Sequence, residues 1–541
     1  MNNQVKFRHF GTMIDCSRNA VMNIASVKQW IDLTSDLGYN TLMLYTEDTY
    51  EVDGHPYFGY MRGRYSQEEL KELDAYALSK GMELVPCIQT LGHLTALLNL
   101  PRYRHLRDAD DVILAGSDEV YELIDSMFAT LSKCFTSKTI NIGLDEAHSI
   151  GRGQYMDLHG PCNRFDILLK HIQKVAEIGS KYGFSFLMWS DMFFHFATGN
   201  VNYSQNAKID ESVSAKIPSN VQLIYWDYYA TNKKHYDNIF QTHNAIKPGT
   251  WFAGGLWAWS GFTPSNTFSL NTTKAALSSC YTQNVQDVIM TIWGDDGGEC
   301  SRFALLPTLF YASEIAKGNS KMSDIKKKFK EKYGIGFDQF MLLDLPNTPG
   351  INKEVVYNPS KYLLYNDCFT GLLDSTLAGG EGEAYEACAK KLRRFAKDKT
   401  YGHLFASQQA LCEVLAIKAE LSQKTRVAYE AKDMDALREL LKDYKAVLKR
   451  LDKFYRAFRT QWFTENKAHG FDVQEIRLTG LMGRIKGCME RLQDYVDGKV
   501  SIIEELDEQQ LDAMGNGTEF SKKPISLNSW KRTITTNVVS W

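Results

Sequence analysis

The sequence lacks several features that would assign it to a specialised class of protein. Its 541 residues contain no run of about eighteen apolar residues, so no membrane-spanning helix is predicted. The amino end has no basic start followed by an apolar stretch and a small-residue cleavage site, which is the pattern of a secretory signal. We therefore expect a cytoplasmic protein without a membrane partner, although a secreted chain whose signal had been removed would look the same.

An excess of charge of one sign is also absent. With 62 Lys and Arg against 65 Asp and Glu, the formal net charge is −3, which gives no general attraction to nucleic acid. The letters DEAH at 145–148 spell a helicase motif, but a helicase also needs the phosphate-binding pattern G-x-x-x-x-G-K-[ST]. The one Gly-Lys pair, at 498–499, is followed by valine, so nucleic acid is not an expected partner.

Cysteine pairs and metal-binding motifs are missing as well. The ten cysteines are widely scattered without a CxxC pair, and several lie in apolar runs, so reduced and mostly buried thiols are expected. His148 and His159 have no HxH or HExxH spacing, and His93 is more simply a hydrogen-bonding residue beside the acids described below. The sequence predicts neither a metal nor another cofactor.

The sequence does contain apolar material for a large core and a repeated structural rhythm. Hydrophobic residues make up 44% of the chain and charged residues 23%, which is typical of a globular protein. Over the first three-fifths, short β-rich runs alternate with amphipathic helical stretches, giving eight strand candidates. This alternation predicts a parallel sheet, and eight units in roughly 320 residues favour a closed (β/α)8 TIM barrel over an open doubly wound sheet.

The positions of the polar residues also favour the barrel. In a barrel the carboxyl ends of all strands converge on one mouth, whereas in an open sheet they would be spread along an edge. Side chains capable of chemistry lie at or just after these ends: Arg18, Glu47, Asp48, His93, Asp145, Glu146, Asp191, Asp227, Trp259, Trp293 and Asp295. We therefore predict an active site at the mouth.

The rest of the sequence predicts a different organisation. A barrel over residues 1–320 is followed at 321–541 by long amphipathic stretches, which predict an α-helical domain with a short C-terminal tail. Within the barrel, a polar stretch at about 198–220 is expected to form a loop excursion beside the mouth. The segment 464–473 is most simply a helix ending near Gly470, and a contact in a homodimer is an open alternative.

The most informative segment is TINIGLDE at 139–146, where two acids follow the fourth predicted strand. If the strand runs to Asp145, alternation turns Ile142 and Leu144 outward and Asp145 toward the barrel axis, while Glu146 opens the loop. Adjacent acids cannot easily flank a glycosidic bond as nucleophile and acid, because such carboxylates lie about 5 Å or more apart. A 2-acetamido sugar can supply its own nucleophile, with Asp145 steadying the amide nitrogen and Glu146 protonating the leaving oxygen.

Five motifs in this order resemble those of the family-20 glycoside hydrolases, the β-N-acetylhexosaminidases. They are DCSRN after strand one, LGH after strand three, the Asp-Glu pair of strand four, YWD in strand six and WGD in strand eight. The resemblance covers residues 7–317. It implies an exo-acting, retaining enzyme that removes terminal β-linked GlcNAc or GalNAc from a carbohydrate through an oxazoline intermediate.

By position, the resemblance also implies roles for the residues around the acid pair. Arg18 would hold the outer hydroxyls of the terminal sugar, and Tyr225 would hydrogen-bond the acetamide oxygen, with Asp227 nearby for a hydroxyl. Trp189 and Trp293 would wall the acetamide pocket and stack under the sugar ring. Asp295 replaces the glutamate that is usual in the family. Further candidates are Trp226, Trp257 and Trp259 for the wall, and Tyr228 and Tyr229 in competition with Tyr225.

The chain departs from the family pattern in three places. Asn141 and Leu144 stand where the motif H-x-G-G-D-E has its histidine and second glycine, and PCIQTLGH replaces PEID-PGH. The additional domain lies at the carboxyl end, whereas most members carry one at the amino end. These differences predict a divergent branch. Two alternatives stay open: a non-hydrolytic barrel that binds amino sugars, and a retaining glycosidase with a conventional carboxylate nucleophile.

Overall fold

The computed structural model describes residues 5–199, 203, 207, 209, 214–350, 358–512 and 527–539, so the predicted loop excursion at about 198–220 falls largely outside the described residues. Within them, eight parallel strands close into a barrel in chain order, and β8 pairs with β1. The strands are β1 His9–Asp15, β2 Thr41–Thr46, β3 Glu83–Ile88, β4 Thr139–Asn141, β5 Ser185–Trp189, β6 Val221–Asp227, β7 Trp251–Gly255 and β8 Asp287–Ile292. The predicted (β/α)8 barrel is confirmed.

A helix follows each strand. These helices are α1 Ile24–Leu37, α2 Gln67–Ser79, α3 Asp118–Cys134, α4 Arg164–Ser180, α5 Asp191–Thr198, α6 Lys233–Ile246, α7 Asn266–Thr282 and α8 Leu306–Ala316. Shorter elements lie in the connecting loops: helices Thr95–Asn99 and Gln154–His159, 3-10 turns Arg104–Leu106 and Arg302–Leu305, and an antiparallel pair of Arg107–Ala109 with Val112–Ile113.

Short polar residues fix where several of these helices begin. The side chain of Asn23 accepts a hydrogen bond from the backbone N–H of Ser26 at the start of α1. Ser66 and Glu69 form a reciprocal capping box at the start of α2. Such caps satisfy N–H groups that have no partner within the helix. They therefore fix where the loops that precede α1 and α2 end.

Most residues of the barrel strands are buried, and β4 is the shortest of these strands. Every residue of β2, β7 and β8 is buried, because side chains fill the barrel axis on one face and helices cover the other. β4 has only three residues, and its register with β3 is the single pair Cys87 and Asn141. Beyond Asn141 the bonding to β5 continues, because the N–H of Ile142 donates to the carbonyl of Leu187 and the carbonyl of Gly143 accepts from the N–H of Trp189.

The C-terminal part is mainly helical, as predicted. Its longer helices are α9 Met322–Tyr333, α10 Pro359–Tyr365, α11 Glu381–Arg393, α12 Gly402–Lys418, α13 Leu421–Glu430, α14 Met434–Glu465 and α15 Phe471–Val496. Its shorter elements are Phe337–Phe340, Met341–Asn347, Asp374–Thr376, Glu504–Asp507 and Trp530–Ile534. The helix expected to end near Gly470 ends at Glu465, and Gly470, with φ of 88°, precedes α15.

The chain forms two compact units that interleave along the sequence. The first contains Met1–Leu256, Phe268–Trp293 and Thr308–Ile325, and the second contains Trp257–Thr267, Gly294–Pro307 and Lys326–Trp541. The loops that follow β7 and β8 thus belong to the second unit. A single boundary at residue 320, as the sequence suggests, stays a prediction.

All ten cysteines lie within the described residues and have free thiols, and nine of them are buried, Cys162 being exposed. This confirms the expectation of mostly buried thiols. Among the helices of the described ranges, none combines the length and the apolar character needed to cross a bilayer.

Candidate active site

The segment that carries the acid pair leaves the sheet earlier than predicted. β4 ends at Asn141, and Gly143 and Leu144 have left-handed φ angles of 75° and 72°. Two consecutive left-handed residues redirect the chain, so Asp145 is not oriented by strand alternation and that prediction was wrong. A side chain at position 143 would collide with the carboxamide of Gln89, so both the conformation and the space require glycine there.

Asp145 lies buried among hydrogen-bond donors. Nε2 of Gln89 donates to its Oδ1 at 2.7 Å, and Nε2 of His93 lies 3.2 Å from its Oδ2. Burial on its own would raise the pKa of this carboxyl group, but the charge and hydrogen bond of His93 and the bond from Gln89 outweigh burial and lower the pKa. Asp145 is therefore ionised at neutral pH.

Glu146 has the opposite electrostatic setting. Its side chain is 48% exposed, and Oε2 lies 3.5 Å from Nε2 of His93. Desolvation by the surrounding protein, followed by the negative charge of Asp145, raises the pKa of Glu146. One member of the pair is thus held as an anion while the pKa of its neighbour is shifted upward, which is the kind of difference that distinct catalytic roles require.

His93 joins the two acids. Its backbone N–H donates to Oδ2 of Asp111 at 3.0 Å, and its φ of 56° is unusual for a residue other than glycine. Burial lowers the pKa of His93, but the charge and hydrogen bond of Asp145 reverse this effect and raise the pKa to about 9. A protonated imidazole consequently compensates the charge of Asp145. The sequence predicts a hydrogen-bonding residue beside the acids, and the structure places the imidazole Nε2 at 3.2 Å from Asp145 and 3.5 Å from Glu146.

Arg18 forms a second, cationic corner of the same mouth. Its Nη1 lies 3.3 Å from Oδ2 of Asp15 and its Nη2 lies 3.3 Å from Oε1 of Glu47. The guanidinium group also lies over the rings of Tyr45 and Trp293, at 5.0 and 5.3 Å from their centroids. The two predicted residues Arg18 and Trp293 are therefore neighbours, and the arginine is held in place on several sides.

A line of hydrogen bonds connects this corner to the acid pair. The hydroxyl of Tyr45 donates to Oε1 of Glu47 at 3.2 Å, and Nε2 of Gln89 donates to the Tyr45 oxygen at 2.9 Å as well as to Asp145. These contacts link Arg18 to Asp145, so replacing Arg18 is expected to alter the hydrogen bonding around Asp145.

Two tryptophans form an apolar wall at the mouth. The ring centroids of Trp189 and Trp293 lie 6.0 Å apart with an interplanar angle of 51°, and both side chains are buried. Within the described part of the chain, Nε1 of Trp189 has no hydrogen-bond partner. Aromatic faces of this kind suit the C–H faces of sugars and a methyl group. The placement supports the wall that the sequence analysis assigned to this pair.

The structure corrects the assignment made on β6. Tyr225 points toward α6, where its ring stacks on His243 at 4.9 Å, and its hydroxyl donates to Oδ2 of Asp227 at 2.9 Å. Asp227 also accepts hydrogen bonds from His235 at 2.8 Å and from the backbone N–H of Tyr229 at 3.0 Å. Both predicted side chains therefore serve the packing of α6 and do not face the mouth.

Tyr228 has different surroundings from Tyr225. Its ring stacks on Trp226 at 5.1 Å, and its hydroxyl lies beside Trp293 and Thr291. Burial raises the pKa of the Tyr228 hydroxyl well above its ordinary value, and the charge of Asp145 raises it further. Tyr228, which the sequence left as a competitor of Tyr225, is thus close enough to Asp145 to feel its charge, and its contact with the acetamide stays a prediction.

Two further predicted residues, Trp259 and Asp295, belong to the second unit. Trp259 stacks on Trp257 with centroids 4.5 Å apart. Asp295 is exposed, with φ of 23°. Their predicted contacts with substrate stay predictions.

A buried ion pair and a partly exposed one within the second unit fix the loop that carries Asp295. Nζ of Lys361 lies 2.7 Å from Oε2 of Glu299, and Nη2 of Arg477 lies 3.0 Å from Oδ1 of Asp296. No feature of the sequence pointed to these pairs, because their members are far apart along the chain.

Several residues around the acids were missing from the predicted site. Glu47 and Asp191 had been recognised as polar residues at strand ends but had been given no role, and Gln89 and Tyr45 had not been singled out. For Glu47 and Asp191, the position at a strand end was the signal that could have identified them. Among the described residues no group of three potential metal ligands occurs, and the absence of a metal stays a prediction.

Comparisons with known proteins agree with this geometry. Residues 7–287 match the model of the glycosyl hydrolase family 20 catalytic domain, and residues 338–524 match that of the glycoside hydrolase 20C C-terminal domain. Hexosaminidase D of Bos taurus is 23% identical over 255 residues, covering 45% of this chain and 69% of that protein. Hexosaminidase D of Homo sapiens is 24% identical over 237 residues, covering 40% of this chain and only 44% of its own length.

Among solved structures, the GH20 exo-β-N-acetylglucosaminidase of Vibrio harveyi in complex with N-acetylglucosamine is 16% identical, with a TM-score of 0.48. The alignment covers 63% of this chain and 59% of that chain. The β-N-acetylhexosaminidase of Bacteroides fragilis NCTC 9343 is 21% identical, with a TM-score of 0.43, and the alignment covers 62% of this chain and 71% of that chain.

Proposed function

The chain belongs to glycosyl hydrolase family 20, and from this membership we propose that it is an exo-acting β-N-acetylhexosaminidase. It would remove terminal β-linked GlcNAc or GalNAc from a carbohydrate with retention of configuration. The observation that carries the proposal is the pair Asp145 and Glu146, adjacent in the chain but shifted in opposite pKa directions by one shared environment. The predicted cytoplasmic location and the open homodimer alternative remain untested.

The chemistry follows from these two carboxyl groups and the acetamido group of the substrate. In the first step the acetamide oxygen attacks C1, the bond from C1 to the leaving oxygen breaks, and the proton of Glu146 moves to that oxygen. Asp145 accepts a hydrogen bond from the amide N–H, which becomes more acidic as the oxazolinium ring forms. Glu146, now a carboxylate, then takes a proton from the water that attacks C1, and the ring opens again to the acetamide.

The remaining residues of the first unit would bind and orient the sugar. Arg18, held by Asp15 and Glu47, is placed to donate hydrogen bonds to sugar hydroxyls. Trp189 and Trp293 would contact the acetamide methyl and the ring face. The hydroxyl of Tyr228 would donate to the acetamide oxygen and so orient it for attack on C1.

Nitrophenyl glycosides test the proposal directly. Release of nitrophenol is expected from the β-GlcNAc and β-GalNAc glycosides but not from the β-glucoside, because the glucoside lacks the internal nucleophile. A thiazoline that mimics the oxazoline should inhibit competitively and bind more tightly than GlcNAc, as a stable mimic of an intermediate does.

Two results would contradict this assignment in different ways. Turnover of the β-glucoside at a rate similar to that of the β-GlcNAc glycoside would indicate a conventional carboxylate nucleophile. Tight binding of GlcNAc without turnover of any glycoside would indicate a barrel that only binds amino sugars.

The different surroundings of Tyr228 and Tyr225 give a matched pair of variants. Tyr228→Phe is expected to lower kcat/KM by about 100-fold, because it removes a donor to the oxygen that attacks C1. Tyr225→Phe is expected to keep the activity and to lower the free energy of unfolding by about 1 kcal/mol, because its hydroxyl bonds to Asp227 on the helix side. Steady-state kinetics and denaturant unfolding of both variants measure these effects, and the reverse ranking of activities would return the acetamide role to Tyr225.

A further inference from the structure

A third buried carboxylate lies behind the acid pair. Asp191 is the first residue of α5 and is 2% exposed. Its Oδ2 accepts a hydrogen bond from the backbone N–H of Glu146 at 2.9 Å, and its Oδ1 accepts one from Nε1 of Trp226 at 3.3 Å. We infer that Asp191 is a positioning residue for the proton donor: by holding the backbone of Glu146, it keeps the Glu146 carboxyl group over the leaving oxygen. This inference rests on the proposed function.

The backbone of Glu146 needs such an anchor. Its φ of 49° lies in the left-handed region, which residues other than glycine seldom adopt unless the surroundings hold them there. β4 has already ended five residues earlier, at Asn141, so its ladder does not reach position 146. Among the backbone hydrogen bonds of the described residues, the carbonyl of Glu146 accepts one local bond, from the N–H of His148 at 2.6 Å. The hydrogen bond to Asp191 therefore ties the backbone of Glu146 to the start of α5.

The side-chain type at position 191 fits this role. In its ionised form a carboxylate presents an acceptor on each oxygen, so it satisfies the Glu146 N–H and the Trp226 indole N–H together. An asparagine presents one acceptor and one donor, so one of the two N–H groups would face another donor. Placing a third acid beside Asp145 and Glu146 is electrostatically costly, and burial followed by the charge of Asp145 raises the pKa of Asp191 to about 7. The need for two acceptors explains why an acid occupies this position despite that electrostatic cost.

Asp191 also connects the proton donor to the aromatic wall. Trp226, which donates to one oxygen of Asp191, stacks on Tyr228, the tyrosine assigned to the acetamide. The same carboxylate thus fixes the backbone of the acid and one side of the sugar-binding wall relative to each other. Loss of Asp191 is expected to misplace the acid most strongly, since the Glu146 backbone has the strained conformation.

The test compares leaving groups in Asp191→Ala. Protonation by Glu146 matters for a poor leaving group such as a sugar hydroxyl, and matters little for 2,4-dinitrophenol, which departs as an anion. We expect kcat for a GlcNAc disaccharide to fall by about 100-fold and kcat for the dinitrophenyl glycoside to fall by less than about fivefold, with KM nearly unchanged. Asp191→Asn, which keeps one acceptor, should show a smaller change with the same dependence on the leaving group.

Asp74→Ala provides a matched control. Asp74 on α2 is also a buried aspartate whose carboxylate accepts a backbone N–H, from Thr136 at 3.2 Å, but it lies outside the mouth. Its loss should leave the dependence on leaving group as in the wild type. Circular dichroism and the unfolding midpoint check the fold of each variant, and the isosteric Asp191→Asn carries the test if Asp191→Ala does not fold.

The outcomes separate this inference from the proposed function. If the wild-type chain hydrolyses none of the acetamido glycosides, the proposed function fails. If the wild type is active and the Asp191 variants lose activity equally with all leaving groups, or lose none, the positioning role is wrong while the proposed function stands. A selective loss with poor leaving groups supports the inference, because a general disturbance of the fold would not distinguish one leaving group from another.

Discussion

Replacing Glu146 with glutamine should reduce kcat/KM for a GlcNAc disaccharide by about 10⁴-fold, the upper range for loss of a general acid. The amide keeps the shape of the side chain but has no proton to give to the leaving oxygen. For the 2,4-dinitrophenyl glycoside the loss should be only about tenfold, because that leaving group needs no proton in the first step and the variant loses only the base of the second step. Steady-state kinetics with a series of phenyl leaving groups measures the difference.

The pH dependence of the same variant gives an independent check. Glu146 must be protonated to act as an acid, so the activity of the wild type should decline as pH rises through the pKa of this group. Burial and the charge of Asp145 raise that pKa, so the alkaline limb lies above the ordinary range of a glutamate. Glutamine does not titrate, and this limb should disappear in the variant. Glu122→Gln, an exposed change on α3, is the control that should leave both the rate and the limb unchanged.

A similar loss with every leaving group would contradict this role for Glu146. It would indicate that the glutamate supports substrate binding or the fold, and the acid would have to be sought among the other carboxyl groups of the mouth, Glu47 and Asp191.

Replacing Asp145 with asparagine should lower kcat/KM by about 1,000-fold whatever the leaving group, because the anion that stabilises the developing charge on the amide nitrogen is needed in every reaction. Affinity for the thiazoline should fall as well, since the mimic carries that charge arrangement. Inhibition constants and kinetics on the same leaving-group series measure both effects. A near-normal kcat in this variant would eliminate the assigned role.

The same variant has a spectroscopic signature at His93. The pKa of about 9 at His93 results from the charge and hydrogen bond of Asp145, which outweigh burial. Without the anion, burial dominates and the pKa of the imidazole should drop below its ordinary value. NMR titration of the histidine ring detects this, and an unchanged titration would show that another acid, such as Glu47, holds the proton on His93.

The position of the site could be predicted from sequence because the barrel rule is simple. Alternating strands and helices specify parallel strands, and the carboxyl ends of these strands share one mouth. Arg18, His93 and the acid pair were found in this way, and the structure places them within reach of one another. The distances and partners could not be predicted, because Gln89 and Tyr45 act through contacts with residues far away in sequence.

The wrong predictions on β4 and on β6 share a physical cause. Both faces of a parallel strand in a barrel are buried, so the apolar pattern does not tell which face meets the axis. On β6, strand alternation places Tyr225 and Asp227 on one face and Trp226 and Tyr228 on the other. Only the packing of Tyr225 against α6 shows that the first pair faces outward. On β4 the apolar letters continue to Leu144, yet the strand ends at Asn141 because Gly143 and Leu144 adopt left-handed angles.

The barrel, the helical character of the C-terminal part and the adjacent acid pair after the fourth strand could be derived from the chain alone. These depend on periodicity and on neighbours in the chain, which a sequence displays. Only the tertiary structure decided which tyrosine faces the mouth, what keeps Asp145 ionised and what holds the backbone of Glu146. Each of these depends on side chains brought together from separate strands, and electrostatic and hydrogen-bond energies depend on those distances rather than on sequence separation.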